Sequence, residues 1–177
     1  PKEGRLVYRG INMYDIVENC EKENRFGYEE VVWLLLFGSL PTREQLIWFR
    51  DLLAECRELP DDFVEDMIMK APSPDVMNKC ARSVLALYSY DPNPDDISPE
   101  NVLRQCIQLI AQMPVIMTSA YQVKRRVYDK KSMYFHQSKA GLGTAESILR
   151  SIRPDKKFTD DEAKLLEEFE ELGNMLE

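Results

Sequence analysis

Apolar residues recur at helical spacing along nearly the whole chain, and one stretch departs from that rule by lacking a polar side. Residues 27–60 read GYEEVVWLLLFGSLPTREQLIWFRDLLAECRELP, and from Val31 to Phe37 every residue is apolar. A helix without a polar face has to be covered on all sides, so the rest of the chain is expected to be arranged around it. Gly38 ends the helix, because a residue without Cβ enters the left-handed conformation at little cost. Thr42 then starts the next one, and Gln45 three residues on completes a capping box. That second helix carries Leu46, Phe49, Leu53 and Cys56 on one stripe, with Arg43, Glu44, Arg50 and Asp51 mostly off it. The pair is an αα-hairpin whose first arm needs further cover.

The same pattern extends to both sides. Residues 4–10, GRLVYRG, form the one β candidate, short and bounded by glycines. Met13 to Cys20 predicts one or two helical turns, and the polar run ENCEKENRFG a loop. Asp61-Asp62 start a short helix to about Met69. Ser73 and Pro74 are expected to cap and open a helix to about Tyr90 that buries Val76, Met77, Cys80, Val84, Leu87 and Tyr88. The DPNPDD run at 91–96 is a turn-rich loop expected to tolerate change. Ser98-Pro99 open a long helix, Glu100 to about Tyr128, in which Pro114 should produce a kink or a split. Asp129 to Gly143 reads as loop, Thr144 to Ile152 as helix, and residues 153–157 as a turn. Thr159 with Glu162 is a second capping box, opening a last helix with a Leu165, Phe169, Leu172, Leu176 stripe. With almost no alternating pattern, the fold class is all-α, a single helical unit over residues 1–177 with at most a short N-terminal β segment.

Charge narrows the partners. The formal net charge is −8, which disfavours nucleic acid, since phosphate contacts need clustered Lys and Arg. The one basic cluster, Lys124-Arg125-Arg126 with Lys130-Lys131 behind it, reads first as a complement to a helix C-terminus, and second as an anion contact. The most apolar long window, Val102 to Tyr121, contains Arg104, Gln105, Gln108 and Gln112, so no membrane span is expected. Cys20, Cys56, Cys80 and Cys106 lie far apart without CxxC spacing. They read as free thiols of a reducing compartment, and with no signal-peptide pattern the expected location is cytoplasmic.

Candidate chemistry is sparse. The single histidine, His136, has no carboxylate or thiol at metal-binding spacing and no serine or cysteine nucleophile arranged around it. It reads as a solvent-facing or locally hydrogen-bonded loop residue. Glu167, Glu168, Glu170 and Glu171 read as a solvated acidic face rather than paired catalytic carboxylates. Tyr128, Tyr134 and Phe135 read as core anchors rather than a binding patch. Gly141-Leu142-Gly143 follows no strand and lacks the spacing of a phosphate loop. No catalytic, substrate-binding or metal residue is assigned, and no cofactor.

Several runs resemble citrate synthases of bacterial type. GRLVYRGINMYDIVEN resembles the family's GxLxYRGYxIxDLxE region, and the hairpin resembles its F-EEVxxLLLxGxLPTxxELxxFxxxLxxxRxLP block. ARSVLALYSYDPNPDDIS is similar to a family helix and its acidic loop, and LIAQMPVIMTSAYQVKRR to its LIAxxPxIxAxxY segment. TAESILRSIRPDKKFTDDEAKLL resembles AENFLxMLRPDKKFTxxEAKLLD. The likeness runs in order to about Leu166. Ser147 stands where the family tends to have Asn, and Pro74-Asp75-Val76-Met77 where it has His-Pro-Met.

The resemblance implies a mainly helical large-domain portion, a homodimer, and an acyltransferase of the tricarboxylic acid cycle that enolises acetyl-CoA and condenses it with oxaloacetate to give citrate. Enolisation needs a placed base and a donor where the enolate charge develops; the resemblance implies that an Asp and a His form the enolising pair, that a second His activates the oxaloacetate carbonyl, and that arginines and a His in an HExGN- or HGGGN-type motif hold the dicarboxylate. In this sequence the corresponding place reads EEFEELGNMLE, without histidine. The expectation is therefore a large-domain fragment that is inactive alone. The alternative is a citrate-synthase-like interaction or dimerisation module that never catalyses. Either way, the stripes of the Val102–Tyr121 and Leu165–Leu176 helices are expected to be exposed and to drive self-association.

Overall fold

The computed structural model describes residues 6–137, 139 and 141–173 of the 177. Helices dominate, in keeping with the all-α expectation. The exception is a two-stranded antiparallel hairpin, β1 (Val7–Tyr8) with β2 (Ile11–Asn12), in which Val7 faces Asn12 and Tyr8 faces Ile11. Arg9 and Gly10 make its turn with φ of 49° and 89°, the left-handed conformation that a tight hairpin turn requires. The Arg9 guanidinium donates to the Leu35 carbonyl at 2.9 Å and ties the hairpin to the helix end below it.

Asn12 caps α1 (Met13–Glu23), accepting from the Tyr14 amide. This helix is longer than the sequence reading allowed, because the ENCEKE part of the expected loop is helical. Met13, Ile16 and Cys20 line one buried face, and Glu18 and Lys22 pair across one turn on the wet face. Asn24, with φ 52°, ends the helix.

The central hairpin is α2 (Tyr28–Phe37) and α3 (Arg43–Glu55), with Gly38 left-handed and the Thr42–Gln45 capping box formed in both directions. Its apolar arm is covered only in part. Val31, Val32, Trp33 and Leu34 are buried, whereas Leu35 and Phe37 remain exposed. The arm lies between two separate clusters: Val32 and Trp33 pack with Phe49, Leu53, Ile107 and Ala111, and Val31 and Leu34 pack with Met13, Ile16 and Cys20. Those clusters cover the first two turns and leave the last one open.

After Pro60 the chain winds as a π-helix, Val64–Met69, in place of the expected ordinary helix. Helix α4 (Val76–Leu87) is capped by Asp75, which accepts from the Asn78 amide at 3.0 Å, not by Ser73. Met77 and Tyr88 are exposed rather than buried, because the buried face is set by Lys79, Cys80 and Ser83. The 91–96 loop is strapped to the next helix. Asp91 accepts from Arg104 at 2.6 Å and Gln105 at 2.9 Å, and the Asn101 amide donates to the Asn93 and Asp96 carbonyls.

Helix α5 (Pro99–Val127) is the spine, packing against α3, α4, α6 and the π-helix. Ser98 caps it as expected. It runs unbroken through Pro114, so the expected split does not occur. The Thr118 hydroxyl donates to the Pro114 carbonyl at 2.9 Å within that stretch. A loop leads to α6 (Thr144–Ile152), and the Thr159–Glu162 box opens α7 (Asp160–Gly173). Leu165 is exposed, as are Val102 and Tyr121. Phe169, Leu172 and Leu176 lie outside the described side chains.

Candidate functional site

A polar cluster lies where the α2–α3 hairpin meets the start of α6. Helix α2 brings Glu29 in its first turn, and Arg57 follows the end of α3. Both are buried, Glu29 to 2% and Arg57 to 3% exposure. Burying ionic groups is costly unless each finds partners, and here they do. Glu29 Oε1 accepts from the Thr144 amide at 2.9 Å and the Thr144 hydroxyl at 3.0 Å. Arg57 Nη1 donates to the Leu142 carbonyl at 2.8 Å and to Ser147 Oγ at 2.7 Å. The Gly143 amide donates to Glu146 Oε2 at 2.7 Å, and Arg50 stands 4.0 Å from the same oxygen.

The two carboxylates thus satisfy amides that open a helix and have no partner within it. A Cβ at Gly143 would come within 3.2 Å of Arg50 and 3.3 Å of Glu146, so the approach admits only glycine without adjustment. Burial and the neighbouring Arg50 pull the Arg57 guanidinium below its ordinary value, while Glu29 and Glu146 oppose them. Ser147, at the position where Asn was expected, serves as an acceptor for Arg57. A shallow cleft of about 170 Å³ opens beside this cluster, lined by Ile47, Arg50, Asp51, Ala54, Gly141 and Leu142.

The residues singled out in the sequence lie elsewhere and are not brought together. His136 Nε2 donates to the Arg153 carbonyl at 2.8 Å; a carbonyl can only accept, so Nε2 carries the proton. Its ring stacks beside Tyr134 at 6.5 Å between centroids. Tyr128 and Phe135 are exposed, which corrects their reading as core anchors. In the basic cluster, Lys130 Nζ donates to the Val127 carbonyl at 2.6 Å and Arg125 lies over the Tyr121 ring at 5.7 Å, in line with a helix C-terminus being complemented. Glu167 is buried and accepts from the Tyr28 amide at 2.6 Å. It caps α2 from α7 and is no part of a solvated acidic face. The side chains of Glu168, Glu170 and Glu171 lie outside those described. None of the four cysteines is in a disulfide, and no group of three or more metal-binding side chains occurs among the described residues.

The arrangement can hold a helix start and a loop in place. Glu29 accepts from Thr144 and Glu146 from Gly143, while the sole histidine lies apart from both, against the Arg153 carbonyl. Glu29, Arg57 and Thr144 were not singled out from the sequence, since their partners lie 85 to 115 residues away. The usable signal was an acid two residues before an apolar run and an arginine two residues past a helix end.

Comparison with known proteins places the fold. The family model for the citrate synthase C-terminal domain matches residues 1–170. 2-Methylcitrate synthase 1 of Corynebacterium glutamicum is 32% identical over 127 residues, covering 71% of this chain and 31% of that protein. Citrate synthase of Saccharolobus solfataricus is 30% identical over 123 residues, covering 70% of this chain and 30% of that protein. The crystal structure of citrate synthase from Pyrobaculum aerophilum superposes with a TM-score of 0.74 at 22% identity, over 94% of this chain and 40% of that one. The chain therefore spans about a third of the length of the curated relatives it matches. By sequence and by the course of its helices, this chain belongs to the citrate synthase family.

Proposed function

We propose that the chain is scaffold of a citrate-synthase-type acyl-CoA-condensing transferase, and that these 177 residues alone do not carry out the condensation. One observation carries this reading. The only histidine in the sequence, His136, lies with Nε2 on the Arg153 carbonyl at 2.8 Å, on a different part of the chain from the buried carboxylates, so no base and donor are brought together. Removing a proton from the methyl group of an acyl-CoA needs a base and a donor converging on one carbon and its carbonyl oxygen. Glu29 sits beneath Thr144 with both hydrogen bonds made and cannot meet a substrate there. The test is thiol release from acetyl-CoA and from propionyl-CoA in the presence of oxaloacetate. Both donors are needed because the relatives are named for both citrate and 2-methylcitrate. No release above the blank is expected; release that scales with the amount of chain overturns the reading.

A second reading, a module that associates without catalysing, is favoured by one face of α4. Met77, Ala81, Leu85 and Tyr88 follow one another a turn apart and are all exposed, with Leu85 at 76%. Ile97, at 89%, stands beside the start of α5. Large exposed apolar patches mark association surfaces. The two ends of α5 are also unlike in charge. Asp91, Asp95 and Asp96 precede it, and Lys124, Arg125, Arg126, Lys130 and Lys131 close it. Two copies packed with α5 antiparallel would set each acidic end near a basic one. Sedimentation should give dimers or larger species, converted to monomer by Leu85→Lys; a wild-type monomer at high concentration contradicts this surface. For compartment, the four free thiols support a reducing one such as the cytoplasm. Among the described residues no helix is long and apolar enough to cross a membrane.

A further inference from the structure

The stretch from Glu58 to Pro72 crosses the molecule between α3 and α4 with little regular structure of its own. Its only helical part is the six-residue π-helix, a winding that is rare and seldom stands without outside support. Its two fully buried side chains, Phe63 and Ile68, pack with Cys80, Ile116, Ala120 and Val123 of α4 and α5, and Leu59 and Met67 pack against the same cluster. Three side chains from the two helices also reach across to its carbonyls. Gln112 donates to Glu58 at 2.8 Å, Tyr128 to Pro72 at 3.4 Å, and the Lys79 ammonium to Met67.

The Lys79 contact is the unusual one. The residue is 4% exposed, and no ion pair is formed by it among the described residues. Burial, and after it the like charge of Arg82, pulls the ammonium below its ordinary value. A buried cation without a carboxylate is costly. What it meets instead is the C-terminal end of the π-helix, where the last carbonyls have no helical partner and the dipole is negative.

We propose that residues 58–72 form a strap that opens as a unit separately from the rest of the fold, and that Lys79 is the latch holding it shut over Cys80. When the strap lifts, the lysine regains water and the Met67 carbonyl is freed. Phe63 and Ile68 leave their cluster, and the Cys80 thiol, which shares that cluster, becomes reachable. Local openings of this kind draw on segments with few ladder bonds of their own.

Cys80 reports the motion directly. Its alkylation by N-ethylmaleimide is followed by mass spectrometry on the native chain, with Cys20, buried in the separate cluster of α1 and α2, as the internal reference. Lys79→Met keeps the length and removes the donor. It should raise the Cys80 rate about tenfold or more, the effect of losing one buried hydrogen bond, with Cys20 unchanged. Lys79→Arg, which keeps a donor, should fall between. Equal acceleration of both thiols would mean general destabilisation and would overturn the latch, as would no acceleration at all. Should Lys79→Met fail to fold, wild-type rates decide: a strap that opens separately labels Cys80 faster than Cys20 under native conditions, and equal labelling rejects it.

Discussion

Replacing Glu29 with alanine removes the acceptor on which α6 begins. In the native chain its Oε1 holds the Thr144 amide and hydroxyl at 2.9 and 3.0 Å in a site where it is 2% exposed. Hydrogen bonds to a charged group contribute about 1.5–3 kcal/mol each, and breaking a buried ionic arrangement costs about 3–5 kcal/mol. These figures describe the same group from two sides and are not added, so Glu29→Ala should cost about 3–5 kcal/mol. Glu29→Gln keeps an amide oxygen for Thr144 but gives up the charge opposite Arg57, and should cost about 1–2 kcal/mol. Urea unfolding followed by Trp33 and Trp48 fluorescence gives both values, with far-ultraviolet circular dichroism to confirm a single transition. A helical domain with a total stability of about 5–15 kcal/mol would show the alanine variant plainly. The reasoning is refuted if alanine costs under about 1 kcal/mol, as an exposed substitution would, or if alanine and glutamine cost the same.

Two further outcomes follow from single side chains. Arg153 grips Glu162 through both nitrogens at 2.9 and 2.7 Å, and with the Thr159 amide holds its carboxyl at about 2. Because that lies below the ordinary 4.5, the pair's contribution is complete above pH 4.5 and is lost as pH falls toward 2. Glu162→Gln should therefore flatten the acid limb of a plot of melting temperature against pH, and an unchanged limb would contradict the pairing. The Ser83 hydroxyl is buried without a partner among the described residues, so Ser83→Ala should leave stability unchanged or raise it by up to about 1 kcal/mol. A loss larger than that in thermal unfolding would show that the hydroxyl is bonded in solution.

Much of the fold was legible because its signals are local. The Thr42–Gln45 and Thr159–Glu162 boxes, the Ser98-Pro99 start and the left-handed Gly38 each depend on residues within four positions, and each formed as read. The misread stretches depend on distant partners. ENCEKE looks polar, yet Cys20 lies on a face covered by α2, and that cover carries α1 to Glu23. Residues 64–69 look like an ordinary short helix, but their winding goes with a carbonyl taken by Lys79 from the next helix. Leu35 and Phe37 look as buried as Leu34, and nothing in their own run says that the cover stops one turn earlier. The polar cluster was hidden for the same reason: Glu29 and Thr144 are both unremarkable in their own segments and matter through each other.

The central claim, that these helices support a condensing site without containing its base, is tested most directly on the first chemical step. The chain is incubated with acetyl-CoA in deuterated buffer, with and without oxaloacetate, and loss of the acetyl methyl proton signal is followed by nuclear magnetic resonance. Exchange at the rate of the protein-free sample is the predicted result. Methyl exchange that accelerates in proportion to added chain would place an enolising base within these 177 residues and contradict the account.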